Sequence, residues 1–282
     1  MKVNRVLEAD PLIEIALRED IGDGDVTTSS IIDKPFRVTA HLVAKDEFIV
    51  AGVDVFHWVY QKLDADVTFV KNIEDGNRVS QGSIMGTIGG DVAVILKGER
   101  VALNFLQRLS GIATLTRAFV TKVTPYPVKI LDTRKTTPGW RALEKYAVKI
   151  GGGDNHRLGL FDAVLIKDNH IRAAGGIGEA VRRVKSRAPH HVAIEVETRD
   201  LQEVKDALDS GVNTIMLDNM STDMMKEAVA MVNKRVLVEA SGNIRLDNIE
   251  AIAATGVDFI SVGALTHSAK AVDISLKIVE HA

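Results

Sequence analysis

The sequence predicts an α/β protein that combines an N-terminal α/β domain of sandwich type with an α/β barrel. In the second half of the chain, short runs rich in Val and Ile alternate with amphipathic segments of helix length, which is typical of parallel strands covered on both faces. The last runs end about 21 to 23 residues apart, the spacing of a repeated strand-helix unit, at Glu197, Asp218, Ser241 and Gly263. An open doubly wound sheet is the alternative, but no G-x-G-x-x-G motif follows these runs.

We place the first domain at residues 1–110 and the barrel at residues 111–269. The boundary falls in residues 97–123, whose apolar spacing predicts one or two helices with Gly111 as a candidate break. A C-terminal helix at about 270–282 is expected to pack back on the first domain.

Within the first domain, the pattern from residue 38 to residue 70 predicts a strand, a helix and a strand. Before it, apolar residues have helical spacing on both sides of Asp10-Pro11, which favours two short helices. After it, residues 74–90 have a glycine-rich hairpin rhythm similar to that of lipoyl and biotin carriers. A carrier needs a lysine at the hairpin tip, and Ile84–Asp91 contains none.

Composition excludes several classes of function. A net charge of -3 gives no general attraction to nucleic acid, so any cationic site must be local. The absence of cysteine excludes disulfides, thiolate metal sites and a cysteine nucleophile. No window reaches the ~18 apolar residues of a membrane span, and we expect a cytoplasmic protein.

One stretch, Asp132–Arg157, indicates an anion site. It holds six Lys and Arg residues, one His and three consecutive glycines between two strand-like runs. Arg134, Lys135, His156 and Arg157 lie beside turn-forming residues and not along one face of a helix. Arginine fits carboxylate and phosphate groups with a planar fork, and lysine adds a point charge. The sequence therefore predicts a small substrate with several negative charges.

Polar or small residues lie at the end of every predicted barrel strand. Because the carboxyl ends of parallel barrel strands meet at one mouth, we expect these residues to converge. They are Arg134 and Lys135, Lys167 and Asp168, Glu197, Asp218, Ser241-Gly242-Asn243 and Gly263-Ala264. The last two groups open helices with small residues, so their backbone N–H groups can bind phosphate.

Glu197 and Asp218 form a pair of acids among these cations. Mg²⁺ uses one or two carboxylates and keeps several waters, so the pair predicts a magnesium ion bound with a polyphosphate. A structural alternative is that the two acids only form ion pairs at the barrel rim. The strand VAIEVET also offers Glu195, and the choice of Glu197 rests on strand parity.

A family resemblance is carried by the segment DTRKTTPGWRALEKYAVKIGGGDNHRLGLFDAVLIKDNHI. It resembles the signature of the quinolinate phosphoribosyltransferases, type II phosphoribosyltransferases of NAD biosynthesis. The likeness extends over essentially the whole chain through the segments LREDIGDGDVTT, GERVALNFLQRLSGIAT, MLDN, SGN and VGALTHS. The resemblance implies an incomplete barrel of seven strands, one more than the runs identified above. It also implies a cytoplasmic homodimer in which each N-terminal domain caps the partner's barrel, with higher assemblies left open.

The resemblance also implies residue roles. Quinolinate carboxylates would be held by Arg134, His156, Arg157 and Lys167, and by Arg100 of the other subunit. Phosphoribosyl pyrophosphate and its Mg²⁺ would be held by Lys135, Glu197, Asp218, Ser241, Gly242, Asn243, Gly263 and Ala264. Lys167, Glu197 and Asp218 would be the catalytic residues, with the two acids as magnesium ligands. The implied reaction yields nicotinate mononucleotide, pyrophosphate and CO₂.

Two enzymatic alternatives stay open. A paralogue with the same fold, such as a molybdate-operon protein or a nicotinate phosphoribosyltransferase, would not decarboxylate its substrate. A substrate with one carboxylate would not need Arg100, Arg134, His156 and Arg157 together. The other alternative is a lyase that forms a Schiff base on Lys167, which requires an uncharged amine, whereas the adjacent Asp168 favours the charged form.

Overall fold

A computed structural model describes residues 3–281 of the chain, and the side chains of residues 9–279. The chain folds into two compact units. Unit 1 comprises Met1–Arg117, Thr137–Gly152 and Ala269–Ala282, and unit 2 comprises Ala118–Thr136 and Gly153–Ser268. The units are therefore interleaved along the chain, whereas the sequence predicted one continuous barrel domain over residues 111–269.

The helices and strands are numbered in chain order. The helices are α1 (Val3–Ile21), α2 (Val26–Ile31), α3 (Val53–Leu63), α4 (Val92–Val123), α5 (Arg141–Gly151), α6 (Asp168–Ala174), α7 (Ile177–Arg187), α8 (Leu201–Asp209), α9 (Thr222–Val232), α10 (Ile249–Ala253) and α11 (Ala264–His267). The strands are β1 (Arg37–Ala44), β2 (Phe48–Ile49), β3 (Thr68–Lys71), β4 (Arg78–Val79), β5 (Ile84–Asp91), β6 (Lys129–Leu131), β7 (Val164–Ile166), β8 (Ile194–Thr198), β9 (Thr214–Asp218), β10 (Leu237–Ser241), β11 (Phe259–Ser261) and β12 (Ile274–His281). The strand, helix and strand predicted between residues 38 and 70 are confirmed as β1, α3 and β3.

The chain begins with one helix where two were predicted. Pro11 lies inside α1 and removes one backbone donor without ending the helix. Ala9, Ile13 and Leu17 are buried on one face of α1. Their spacing of four residues continues across the proline, and this burial offsets the lost hydrogen bond.

The C-terminal segment is a strand and not the helix that was predicted. Strand β12 pairs antiparallel with β1 at one edge of a four-stranded sheet, whose order is β12-β1-β5-β3. The sequence ISLKIVEH has apolar residues at positions 274, 276 and 278, and this period of two fits a strand with one covered face. A further apolar residue at position 279 concealed that period.

Gly111 does not break helix α4, which runs without interruption through it. A Cβ atom at this position would collide with the backbone carbonyl of Lys270 in the segment that leads to β12. The glycine therefore permits close approach of two backbones within unit 1, and its flexibility is not used.

The sheet of unit 2 is parallel and has the order β6-β11-β10-β9-β8-β7. Each of the six predicted runs supplies one strand. The seventh strand that the family resemblance implies is reduced to a single parallel bridge between Leu131 and Asp154. Asp154 donates its N–H to Ile130 and accepts one from Asp132, which adds the segment before His156 to the free edge of β6.

The register of this sheet determines which side chains share a face. Glu197, Met216 and Glu239 are paired neighbours on adjacent strands, and so are Asp218 and Ser241. Residues that follow both edge strands line the same cavity, which requires the sheet to curl into an open barrel. No described helix is long and apolar enough to cross a membrane.

Replacing Gly111 by alanine tests the close approach. Gly111→Ala should lower the free energy of unfolding by at least ~1 kcal/mol, because the added methyl group overpacks a site that has no room for it. The matched control is Gly178→Ala in α7, where a Cβ meets only Ser210 Oγ at 3.8 Å. This control should gain up to about 1 kcal/mol from helix propensity. If chemical denaturation shows the same change in the free energy of unfolding for both variants, the close contact between Gly111 and the Lys270 backbone is contradicted.

Candidate active site

A cavity of about 420 Å³ opens at the carboxyl ends of the unit 2 strands. Its walls carry most of the residues that the sequence placed at the barrel mouth, together with others that it did not. The lining consists of Thr133, Arg134, Lys135, His156, Arg157, Leu165, Lys167, Glu197, Met216, Asp218, Asn219, Glu239, Ser241, Gly242, Asn243 and Ser261. All of them belong to unit 2.

Four cationic side chains converge on this cavity. Arg134 and Lys135 follow β6, Lys167 follows β7, and Arg157 follows the bridge at Asp154. Partial burial and then the nearby Arg134 charge lower the pKa of the Arg157 guanidinium. Like charges held close together and partly desolvated favour an anion that compensates them. The cavity is therefore suited to a substrate with several negative charges.

The acids of the mouth lie among these cations. Glu197 is 10% exposed at its side chain, and its Oε2 atom accepts a hydrogen bond from Lys167 Nζ at 2.8 Å. Asp218 Oδ1 accepts one from Asn219 Nδ2 at 2.9 Å. Asp168, which the sequence placed beside Lys167, pairs instead with Arg199 at 2.7 Å. The amine of Lys167 is therefore held by Glu197 and not by its neighbour in the sequence.

Strand parity does not separate Glu195 from Glu197, because residues two apart on a strand face the same side. The two acids differ in depth. Glu197 lies nearer the end of β8 and lines the cavity, whereas Glu195 lies one step further back and contacts His156. The structure supports Glu197 as the acid of the mouth, on grounds of depth.

A buried cluster of His156, Glu195 and Glu239 lies at the base of the cavity. His156 Nε2 is 3.0 Å from Glu195 Oε2 and 3.6 Å from Glu239 Oε2. His156 Nδ1 accepts the backbone N–H of Arg157 at 2.8 Å. Because a backbone N–H can only donate, the ring hydrogen lies on Nε2 and points to the carboxylates. Both ring nitrogens are engaged within the protein, and the ring fixes the backbone of Arg157.

Glu239 is 2% exposed. Burial, followed by the charge of Glu195, raises the pKa of Glu239 to about 8. Two carboxylates this close in a buried site cannot both be ionised at low cost. The base of the cavity therefore retains a proton at neutral pH.

Gly263 and Ala264 do not line the cavity, but they lie beside it. A Cβ on Gly263 would be 3.1 Å from Lys135 Cδ, so the glycine leaves room for the stem of that lysine. Thr266 in the short helix α11 donates its hydroxyl to the carbonyl of Lys135 at 2.7 Å. This segment therefore orients Lys135.

Arg100 lies in unit 1, on α4, and is exposed.

The sequence did not identify four polar residues of the lining, namely Thr133, Asn219, Glu239 and Ser261. Glu239 had a usable signal, since it is a charged residue inside an apolar strand and two positions before Ser241.

Comparison with known proteins decides the family. Models of the N-terminal and C-terminal domains of quinolinate phosphoribosyl transferase match residues 25–110 and 112–277. A Synechocystis protein named as a probable nicotinate-nucleotide pyrophosphorylase (carboxylating) is 46% identical over 96% of this chain and 93% of its own length. The chain belongs to the quinolinate phosphoribosyltransferase family. A mitochondrial quinolinate phosphoribosyltransferase (decarboxylating) of Nicotiana tabacum is 44% identical over 95% of this chain and 81% of its own.

Solved structures agree with this family assignment. The nicotinate-nucleotide pyrophosphorylase of Francisella tularensis superposes with a TM-score of 0.94 at 42% identity, covering 97% of each chain. Human nicotinic acid phosphoribosyltransferase is 12% identical with a TM-score of 0.62, covering 98% of this chain and 74% of its own. This second likeness shows a shared fold alone. The predicted fold class and the predicted quinolinate phosphoribosyltransferase family are thus confirmed.

The buried proton of Glu239 has a measurable consequence. The folded pKa exceeds the ordinary value of about 4.3, so the folded state holds a proton that the unfolded state releases as pH rises. Stability is therefore lost between the two values. Glu239→Gln keeps the shape without the ionisation. We expect its melting temperature to match wild type at about pH 4, below both values, and to exceed it by several degrees at about pH 9.

An exposed glutamate of the same unit, Glu227, provides the control. Glu227→Gln should leave the pH dependence of the melting temperature unchanged. A constant difference between Glu239→Gln and wild type across the pH range would show that Glu239 is ionised throughout.

Proposed function

We propose that this chain transfers the phosphoribosyl group of phosphoribosyl pyrophosphate to quinolinate and releases CO₂, which yields nicotinate mononucleotide and pyrophosphate for NAD biosynthesis. The observation that supports this most strongly is the convergence of Arg134, Arg157, Lys135 and Lys167 on one cavity that also holds Glu197 and Asp218. Cations matched to a dicarboxylate and a polyphosphate, beside an acid pair matched to Mg²⁺, fit both substrates of this reaction. Membership of the quinolinate phosphoribosyltransferase family supports the same conclusion.

Quinolinate carries two adjacent carboxylates, and we assign them to Arg134, Arg157 and Lys167. Arginine can bind a carboxylate with two parallel hydrogen bonds, and Lys167 can exchange Glu197 for the substrate. His156 takes part by holding the Arg157 backbone and by directing its own N–H to Glu195. We further propose that Arg100 of a second subunit completes the carboxylate site, in a homodimer that shares its two active sites.

We assign phosphoribosyl pyrophosphate to the opposite wall, at Lys135, Ser241, Gly242 and Asn243. Gly263 supports this wall by making room for Lys135, and Ala264 follows it as the first residue of helix α11. Glu197 and Asp218 lie at or next to the carboxyl ends of the adjacent strands β8 and β9 and offer hard oxygen atoms to the same cavity, which is the donor set that Mg²⁺ accepts. When bound there, the ion would offset the charge of the departing pyrophosphate.

The reaction needs no protein nucleophile. The pyridine nitrogen attacks the ribose carbon as pyrophosphate leaves, and Lys135 stabilises the negative charge on the leaving group. Glu197 or Asp218 would offset the positive charge that builds on the sugar. Loss of the adjacent carboxylate as CO₂ leaves its bonding electron pair on the ring carbon, where the neighbouring positive nitrogen stabilises it, and a proton from water then forms the C–H bond of nicotinate mononucleotide. Lys167 and Arg157 hold the ring in place for both steps.

The Schiff-base alternative is disfavoured by the structure. A lysine that attacks a carbonyl must present a free uncharged amine. Lys167 instead donates to the nearly buried carboxylate of Glu197. Borohydride with substrate should therefore leave Lys167 unmodified.

The function is tested by offering quinolinate and nicotinate separately with phosphoribosyl pyrophosphate and Mg²⁺. We expect quinolinate to give equal amounts of CO₂ and mononucleotide. Turnover of nicotinate in place of quinolinate would instead establish a phosphoribosyltransferase that does not decarboxylate.

The carboxylate assignment predicts the effect of removing either arginine. Arg134→Ala and Arg157→Ala should each weaken quinolinate binding by about 1.5–3 kcal/mol, the usual contribution of a hydrogen bond to a charged group. The fold should persist, because both side chains lie at the cavity and not in the core. Calorimetry that shows unchanged affinity in either variant would remove that residue from the site.

The magnesium assignment predicts a different response from the acids. Glu197→Ala or Asp218→Ala should raise the Mg²⁺ concentration needed for half-maximal rate and lower the rate itself. Quinolinate binding without metal should change much less, since carboxylates repel that dianion. Unchanged Mg²⁺ dependence in both variants would mean that the two acids only form ion pairs.

The shared site predicts complementation between two inactive variants. In a mixed dimer of Arg100→Ala and Lys167→Ala, one mouth carries both lesions and the other carries neither. Random exchange makes half of the dimers mixed, so activity should return to about a quarter of wild type. Native mass spectrometry verifies the exchange. Mixed dimers without recovered activity would show that Arg100 does not act across the interface.

A further inference from the structure

Asn219 has a geometry that the reaction proposed above does not use. It follows Asp218 directly at the end of β9, and its backbone has φ 55°, in the left-handed region. Asparagine tolerates this region better than most residues, but the conformation still costs free energy and is maintained only by surrounding contacts. Strain of this kind at the wall of a cavity indicates a functional constraint.

The side chain of Asn219 bridges two walls of the cavity. Its Nδ2 donates to Asp218 Oδ1 at 2.9 Å, and its Oδ1 accepts from Asn243 Nδ2 at 2.9 Å. Its backbone N–H donates to the carbonyl of Ser241, also at 2.9 Å. One residue therefore links the acid at the end of β9 with the loop at the end of β10.

The loop is shaped around this amide. Gly242 has φ 95°, and a Cβ atom there would collide with the Asn219 side chain. Asn243 has φ 51°, and its carbonyl accepts from Asn248 Nδ2 at 3.0 Å, which braces the loop from its other side. The loop therefore turns through two adjacent residues in the left-handed region. At Gly242 there is no room for a side chain between the loop and Asn219.

We propose that Asn219 is a positioning residue, which holds the Asp218 carboxylate and the loop of residues 241–243 in the relative geometry that phosphoribosyl pyrophosphate and its Mg²⁺ require. The inference rests on the proposed function, because it assumes that both walls serve the same ligand. The reason is geometric. Asp218 would hold the metal and the loop would hold the phosphates, and Asn219 contacts both Asp218 and the loop.

The test compares three variants with wild type. Asn219→Gly keeps the left-handed backbone but removes both amide contacts, and Asn219→Asp keeps the size but places a carboxylate against Asp218. Asn243→Gly breaks the same bridge from the loop side and provides a second route if the first variants unfold. Titration calorimetry measures the binding of phosphoribosyl pyrophosphate with and without Mg²⁺, and steady-state kinetics measure KM for each substrate.

We expect Asn219→Gly to weaken binding of phosphoribosyl pyrophosphate about tenfold in the presence of Mg²⁺, since two hydrogen bonds are lost, and Asn219→Asp to weaken it further. KM for quinolinate should change less than twofold. The combined variant Asn219→Gly/Asn243→Gly should lose less binding free energy than the sum of the two single variants, because both changes break the same amide contact. The direct contact proposed between Asn243 and the ligand is lost in Asn243→Gly and in the combined variant alike.

The matched control is Asn233→Gly, at another asparagine in the left-handed region, with φ 47° at the end of α9. It lies outside the cavity lining and should bind phosphoribosyl pyrophosphate as wild type does. If Asn219→Gly also binds it as wild type does, or weakens both substrates equally, the inference is overturned while the proposed function stands. Wild-type protein that fails to bind phosphoribosyl pyrophosphate would overturn both.

Discussion

The strands of a parallel sheet all have their carboxyl ends at the same edge of that sheet. In unit 2 this constraint, together with the curl of the sheet, directs the residues after β6 to β10 into one cavity. Charged groups that would repel one another in isolation are thereby held close, as Arg134 and Arg157 are. The backbone hydrogen bonds of the sheet support this arrangement, so the site is formed before any ligand binds. The proposed binding of a dianion and a polyphosphate side by side depends on this pre-formed charge.

Periodicity revealed most of the fold, because buried parallel strands carry a strong apolar signal that repeats with the strand-helix unit. It failed where long-range contacts decide the structure. The contact of Gly111 with the Lys270 backbone joins residues far apart in sequence, and the burial of α1 extends past Pro11. The terminal strand β12 exists because β1 offers it an edge, which no local pattern records.

The mouth of the site was predictable for the same reason, since position after a strand identifies the residues from β6 to β10. The base of the cavity was not. Glu239 precedes the end of its strand, and its proximity to Glu195 and His156 depends on barrel closure. Asn219 is an ordinary polar residue in the sequence, and its role as a bridge appears only through its backbone angle and its two amide contacts. Sequence thus indicates the residues proposed to touch ligands more readily than those proposed to position them.

The proposed function requires the cavity to bind two adjacent carboxylates. The most direct measurement is the calorimetric titration of wild-type protein with quinolinate and, separately, with nicotinate, which lacks one of the two groups. A second charged carboxylate bound by cations contributes about 1.5–3 kcal/mol, so quinolinate should bind at least ~tenfold more tightly. If nicotinate binds as tightly as quinolinate, the cavity has no site for the second carboxylate.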